Sequence, residues 1–164
     1  MPNEGSLDSN DTAKKAAMEG WGYAVTPVTG LRPNQEWDAL VAQVDAVYIS
    51  ENLFSGDLNT KIKDAAVGIL NEQLALNADF ELASTSGSTY TNTQINITDN
   101  THYVTSAFTT GNLLIASTAQ PLLRISGTLA PDLQPLAKQI GGGFVQPVAY
   151  PLIVGSAKEG GSYG

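Results

Sequence analysis

The chain has 164 residues, 16 acidic against 8 basic side chains, a net charge of −8 and no cysteine. Disulfides, thiolate metal sites and a cysteine nucleophile are therefore excluded. With no basic run in the sequence, neither a nucleic-acid backbone nor an anionic membrane surface is expected as a partner. At 42% hydrophobic and 15% charged, the length predicts one domain over residues 1–164, with a core that needs no metal or disulfide staple.

No window approaches the roughly 18 apolar residues of a membrane-spanning helix, so no membrane insertion is expected. The first ten residues, "MPNEGSLDSN", lack the basic and apolar regions of a signal peptide. "SNDTAKKAAMEGWG" predicts a helix capped by Ser9 or Asn10, with Ala13, Ala16, Ala17 and Met18 as the buried stripe and Gly20 and Gly22 as the stop. "YAVTPV", 23–28, reads as a strand. "NQEWDALVAQV" predicts a second helix with Trp37, Leu40 and Val41 on one face. "DAVYIS" is a continuous apolar run, which suits a strand covered on both faces. "GDLNTKIKDA" carries Leu58 and Ile62 at i, i+4 as a third amphipathic segment, and "AVGIL", 66–70, is another buried strand. This alternation of helix and strand predicts an α/β layered domain with a mostly parallel sheet.

From Ala83 to Thr110 the chain is rich in Ser, Thr, Asn and Gly. It reads as a Thr-rich β extension of the sheet with turns at Ser86–Gly87 and Asp99–Asn100. "NLLIAS", "LLRISG", "PLAKQI" and "AYPLIVGS" complete the β content, and Pro121, Pro131, Pro135, Pro147 and Pro151 cut this half into short units. "IGGGF", 140–144, lacks the spacing of a phosphate-binding loop and reads as a turn. The chain opens on a helix and ends in "KEGGSYG". It is therefore expected to be a fragment of a larger protein, or a domain whose sheet another chain completes.

The succession "DTAKKAAMEGWGYAVTPV", "VDAVYISENLFSGDLNTKIKDAAVGILNEQ", "ITDNTHYVTSAF" and "YPLIVGSAKEGG" resembles the ThuA-like branch of the glutamine-amidotransferase-like superfamily. That resemblance implies a flavodoxin-like three-layer α/β fold and a place in a bacterial extracellular or cell-surface protein, with a cytoplasmic location left open. The superfamily's nucleophilic Cys has no counterpart here, so the resemblance carries the fold further than the chemistry.

Ser50 stands where the apolar run 44–49 ends, at the carboxyl edge where open α/β sheets place ligands. A serine elbow needs small residues two positions to either side, and Tyr48 and Asn52 occupy them, so a loop-bonding role is the expectation. In the polar loop that follows, Ser55 or Asp57 is expected to cap the next helix, and Asn52, Ser55 and Asp57 are the candidate ligand-binding residues at its N-terminus. Glu51 and Glu72 are the carboxylates suited to acid–base work at one sheet edge. His102, the single histidine, must serve any His-based scheme, yet it lies in the turn-rich "TDNTHYV". Trp21, Tyr23 and Trp37 read as packing residues, or alternatively as exposed aromatics for carbohydrate. No metal site and no cofactor are expected.

The resulting expectation is a non-catalytic interaction or assembly module that associates with itself or with other protein chains. The alternatives are a hydrolase or carbohydrate-active module using Glu51, Glu72 and His102, and a purely structural subunit that buries its Thr-rich face between copies.

Overall fold

In the computed structural model, residues 7–141 and the backbone of 148–149 are described. The expectations for the two termini, for "GGF" at 142–144 and for "YPLIVGS" at 150–156 lie outside the described residues.

Helix α1 (Ser9–Gly20) is capped by Asp8, whose Oδ1 accepts the Asp11 N–H at 2.8 Å. The cap lies one residue before Ser9 because Asp8 is the last residue with extended backbone angles. Gly22, at φ 96°, turns the chain out of the helix. The expected alanine stripe is not the docked face, for Ala13, Ala16 and Ala17 are exposed and α1 buries no residue. Its half-buried positions are Asp11, Lys14, Lys15 and Met18, an i, i+3, i+4, i+7 set that is mostly charged. Residues 23–28 run without strand pairing, so the strand expected there does not form. Pro27 removes one donor from that run.

Helix α2 (Asn34–Val41) follows Pro33 and buries Trp37, as its spacing predicts. Strand β1 (Ala46–Ile49) pairs in parallel with β2 (Gly68–Asn71), in register from Ala46 opposite Gly68 to Ile49 opposite Asn71. Between them α3 (Ser55–Leu58) lasts four residues and stops at Asn59, which takes φ 49°. The expected amphipathic segment therefore continues as turns, although Leu58 and Ile62 are both buried as its pattern requires. With α4 (Leu76–Asp79), these elements enclose a first core of Trp37, Ile49, Leu58, Ile62 and Leu76.

The second half is antiparallel. Strand β3 (Ser88–Asn92) pairs with β6 (Gln120–Arg124), which also pairs with β8 (Val148–Ala149). Strand β4 (Gln94–Ile97) lies between β5 (Gly111–Leu114) and β7 (Ala137–Lys138). Ile95, Ile97, Leu122 and Ala137 form a second core, against which Tyr90, Phe108, Leu113 and Ile115 pack.

The flavodoxin-like three-layer fold with a mostly parallel sheet is thus corrected. Among the described residues, β1–β2 is the single parallel pair, and the Thr-rich half builds its own antiparallel sheets instead of extending it. The reason is local. Parallel neighbours need long crossovers, usually helical, and among the described residues after β1 the helices are the four-residue α3 and α4. The alternation of Gln94 to Ile97, half-buried and buried by turns, suits a one-sided antiparallel strand.

Asn77 joins the two halves. It is 5% exposed, and its Oδ1 accepts from Asn71 Nδ2 of β2 at 3.2 Å while its Nδ2 donates to Ser86 O, ahead of β3, at 2.9 Å. Its own carbonyl accepts the N–H of Leu82 at 2.9 Å. Beside this clasp, Gly87 takes φ 113°, and a Cβ there would lie 2.2 Å from Arg124 O and 2.9 Å from Leu74 Cδ1. Left-handed strain and a backbone clash then act together. Gly87→Ala is expected to cost more than about 2 kcal/mol and to lower the thermal midpoint visibly. An unchanged midpoint would contradict this packing.

Candidate functional site

The parallel pair ends where the sequence places its polar residues. Glu72 N–H donates to Ile49 O at 2.9 Å, so Glu72 and Ser50 leave the sheet side by side. Helix α1 lies across this end. Lys14 Nζ is 2.6 Å from Glu72 Oε2 and 3.7 Å from Glu51 Oε1, and it sits 5.7 Å from the centre of the Tyr48 ring. The Tyr48 hydroxyl donates to the same Glu72 oxygen. Ser50 Oγ donates to Asp11 Oδ1 at 2.7 Å and accepts the Asn52 N–H at 3.1 Å. Asn52 Nδ2 donates to Asp8 Oδ2 at 2.8 Å, and Asn10 Nδ2 to Glu51 Oε1 at 3.0 Å. Gln73 Nε2 closes the loop on the carbonyls of Glu51, at 2.7 Å, and Leu53.

These contacts differ in weight. Glu51 is 47% exposed, so its ion pair with Lys14 is worth about 1 kcal/mol or less. Glu72 is 9% exposed. A carboxylate so enclosed is tolerated because a cation and a phenol both bond it, and removing either leaves buried charge short of a partner. Burial alone would lower the Lys14 ammonium, but its bonds to Glu72 and Tyr48 and their charges outweigh that and hold its pKa above the usual lysine range. The Tyr48 phenol is also pushed up, first by burial and next by its bond to Glu72, against the opposing pull of Lys14.

The structure therefore gathers Ser50, Glu51, Asn52 and Glu72 at one edge, and it leaves the other candidates elsewhere. Ser55 is the first residue of α3 and Asp57 lies within it. Neither side chain caps that helix, since Phe54 holds the N-cap position without a side-chain bond. The capping role expected for them is thus not seen, and four residues of helix make a weak anion site. His102 lies in the loop between β4 and β5, where its Nδ1 accepts the Val104 N–H at 3.2 Å and its ring lies against Tyr103. Trp37 is core, while Trp21 and Tyr23 are exposed.

Lys14, Asp8, Asp11 and Gln73 were not singled out from the sequence, and Asn10 and Tyr48 stood out there only as a helix-cap candidate and as a neighbour of Ser50. The charged i, i+3, i+4, i+7 face of α1 was the available signal. Chemically the cluster is self-satisfied. Ser50 faces an aspartate with no imidazole between them, which leaves it without a base matched to a hydroxyl nucleophile. The two glutamates, Glu51 and Glu72, share one cation, Lys14, at 3.7 Å and 2.6 Å. Among the described residues, no group of three or more His, Asp or Glu gathers to hold a metal ion. No helix among them is long and apolar enough to cross a membrane. Comparison with protein-family models, with curated proteins and with solved structures finds no match to the chain.

The raised Lys14 and Tyr48 values fix a pH dependence. Both groups are protonated in the fold beyond their ordinary values of 10.5 and 10.0. Their stabilisation is complete below about pH 10 and is lost as pH rises through the folded values. Tyr90, raised by burial, adds to the same loss. Denaturant unfolding should show stability falling from pH 10 upward, with a shallower fall in Tyr48→Phe. Equal slopes in the two proteins would contradict the raised Tyr48 phenol.

Proposed function

We propose that the chain is a non-catalytic interaction and assembly module that self-associates through its open strand edges. The observation that supports this is the character of those edges. Among the described residues, β1 and β2 pair only with each other, and β3 and β5 lie on the outside of their sheets. Their sequences, AVYI, GILN, STYTN and GNLL, contain no charged residue and no proline. Natural edge strands are commonly guarded by lysine, proline or a bulge, and unguarded edges offer free N–H and C=O groups to another strand. Each edge is four or five residues long. One edge alone supplies only a few bonds, so several must act together.

The polar cluster at the β1–β2 edge fits this reading because its groups are engaged in holding α1. The hydrolase alternative draws on one fact, that Glu51 and Glu72 meet at Lys14. It lacks an acid or base free to work there, and His102 bonds within its own loop. The extracellular or cell-surface setting rests on the ThuA-like resemblance alone.

Light scattering across micromolar concentrations should give a mass above that of one chain. Thr89→Lys, Thr91→Lys and Leu114→Lys place charge at exposed positions of β3 and β5. Combined, they should reduce that mass while the circular dichroism spectrum stays unchanged. A wild-type chain that remains monomeric throughout would sink the proposal.

A further inference from the structure

We infer that α1 is an exchangeable arm, and that in the assembled state it docks on the β1–β2 edge of a second copy of this chain. This rests on the self-association proposed above and adds a second contact to the strand edges.

Three features of α1 point the same way. It fully buries no residue, and the half-buried Met18 is the one apolar side chain on its docked face, so little apolar surface anchors it to its own chain. It is held by paired polar groups, chiefly Lys14 with Glu72 and Asp11 with Ser50, and that complementarity is the same whichever copy supplies the helix. Its connection to the body is loose, for residues 21–24 are all exposed and Gly22 turns at φ 96° with open space around it. Swinging the arm out breaks no strand pairing, and it leaves the Glu72 carboxylate short of its cation until the Lys14 of a second copy takes that place.

Exchange also needs something that the closed monomer lacks, because a short connector gives the arm a high effective concentration at its own edge. Trp21 and Tyr23 supply it. They are 74% and 63% exposed, two large aromatics on the hinge itself. When two copies exchange arms, the hinges run past each other at the two-fold axis, and the four rings meet there and leave water. The closed form leaves them exposed, and the exchanged form gives them a partner of the same chemistry.

The test uses the full chain with opposite charge reversals. Lys14→Glu opposes two carboxylates within one chain, and Glu72→Lys opposes two ammonium groups. Mixed, they restore both pairs only if each helix sits on the other chain. The mixture should form a heterodimer at least on the order of tenfold tighter than either variant with itself, and Trp fluorescence should shift to the blue as Trp21 is covered. If the wild type self-associates while the mixture gains nothing over its components, the exchange is wrong and the edge-mediated assembly survives. A wild type that stays monomeric overturns both. Should the reversals fail to fold, Asp11→Cys with Ser50→Cys in this cysteine-free chain decides the matter. Oxidised at concentrations where the wild type associates, it should give a covalent dimer, whereas an internally bridged monomer would refute the exchange.

Discussion

One buried carboxylate organises the first half of the molecule. Glu72 leaves β2 at the carboxyl end of the parallel pair with little access to water, and it would be untenable there without compensation. Lys14 brings a cation from a helix far back in the sequence, and Tyr48 brings a hydroxyl from the neighbouring strand. Because Lys14 is on α1, satisfying Glu72 fixes where α1 lies. Asp11, Asp8 and Asn10 then fall against Ser50, Asn52 and Glu51. Helix position, loop conformation and the fate of the candidate catalytic groups all follow from that pairing. It also accounts for the engagement of the polar groups at this edge, which bond to a helix that fully buries no residue of its own.

The second half depends on a different kind of constraint. Asn77 is buried and bonds both β2 and the segment entering β3, while Gly87 lets that segment pass close to the Arg124 carbonyl. This polar clasp ties β2, beside the core around Trp37 and Leu76, to the segment that enters the half with the core around Leu122 and Ile97. Beyond it the loop between β4 and β5 is tied by Asp99. Its carboxylate accepts the Thr101 N–H at 2.8 Å and the Thr101 hydroxyl, and it also accepts Gln134 Nε2; these bonds hold its pKa below the usual range. His102 is part of that turn and has no tie to the carboxylates of the first half.

How much of this was legible in the sequence depends on the length scale of the interaction. Trp37 in α2, the apolar runs of β1 and β2, and the arrival of Ser50 and Glu72 at one edge were readable, because each depends on local period and on two strands running the same way. The sheet as a whole was not. A run such as "YAVTPV" has the composition of a strand, and nothing within it says that no neighbour will pair with it. "GDLNTKIKDA" has the period of a helix, yet Asn59 in the left-handed conformation ends it after one turn. The alanines of α1 looked like its core face because they are apolar. The face that docks is chosen instead by Lys14 finding Glu72, a contact across 58 positions that no window can register. The resemblance to flavodoxin-like domains added weight to the same parallel alternation and misled in the same place.

The central claim is that the pairing of Lys14 with Glu72 places α1, and that the bonds of Asp8, Asn10 and Asp11 follow from it. Amide hydrogen exchange in the wild type and in Lys14→Met tests it most directly. A twelve-residue helix released from its dock is marginal in water, so its amides should report release as exchange. The account predicts that amides from Ala13 to Gly20 lose protection by about a hundredfold in the variant, as the loss of a buried partner worth roughly 3 kcal/mol implies, while Val47, Ile49 and Ile69 in β1 and β2 keep most of theirs. Protection of α1 that is unchanged in Lys14→Met would show that something other than this ion pair places the helix.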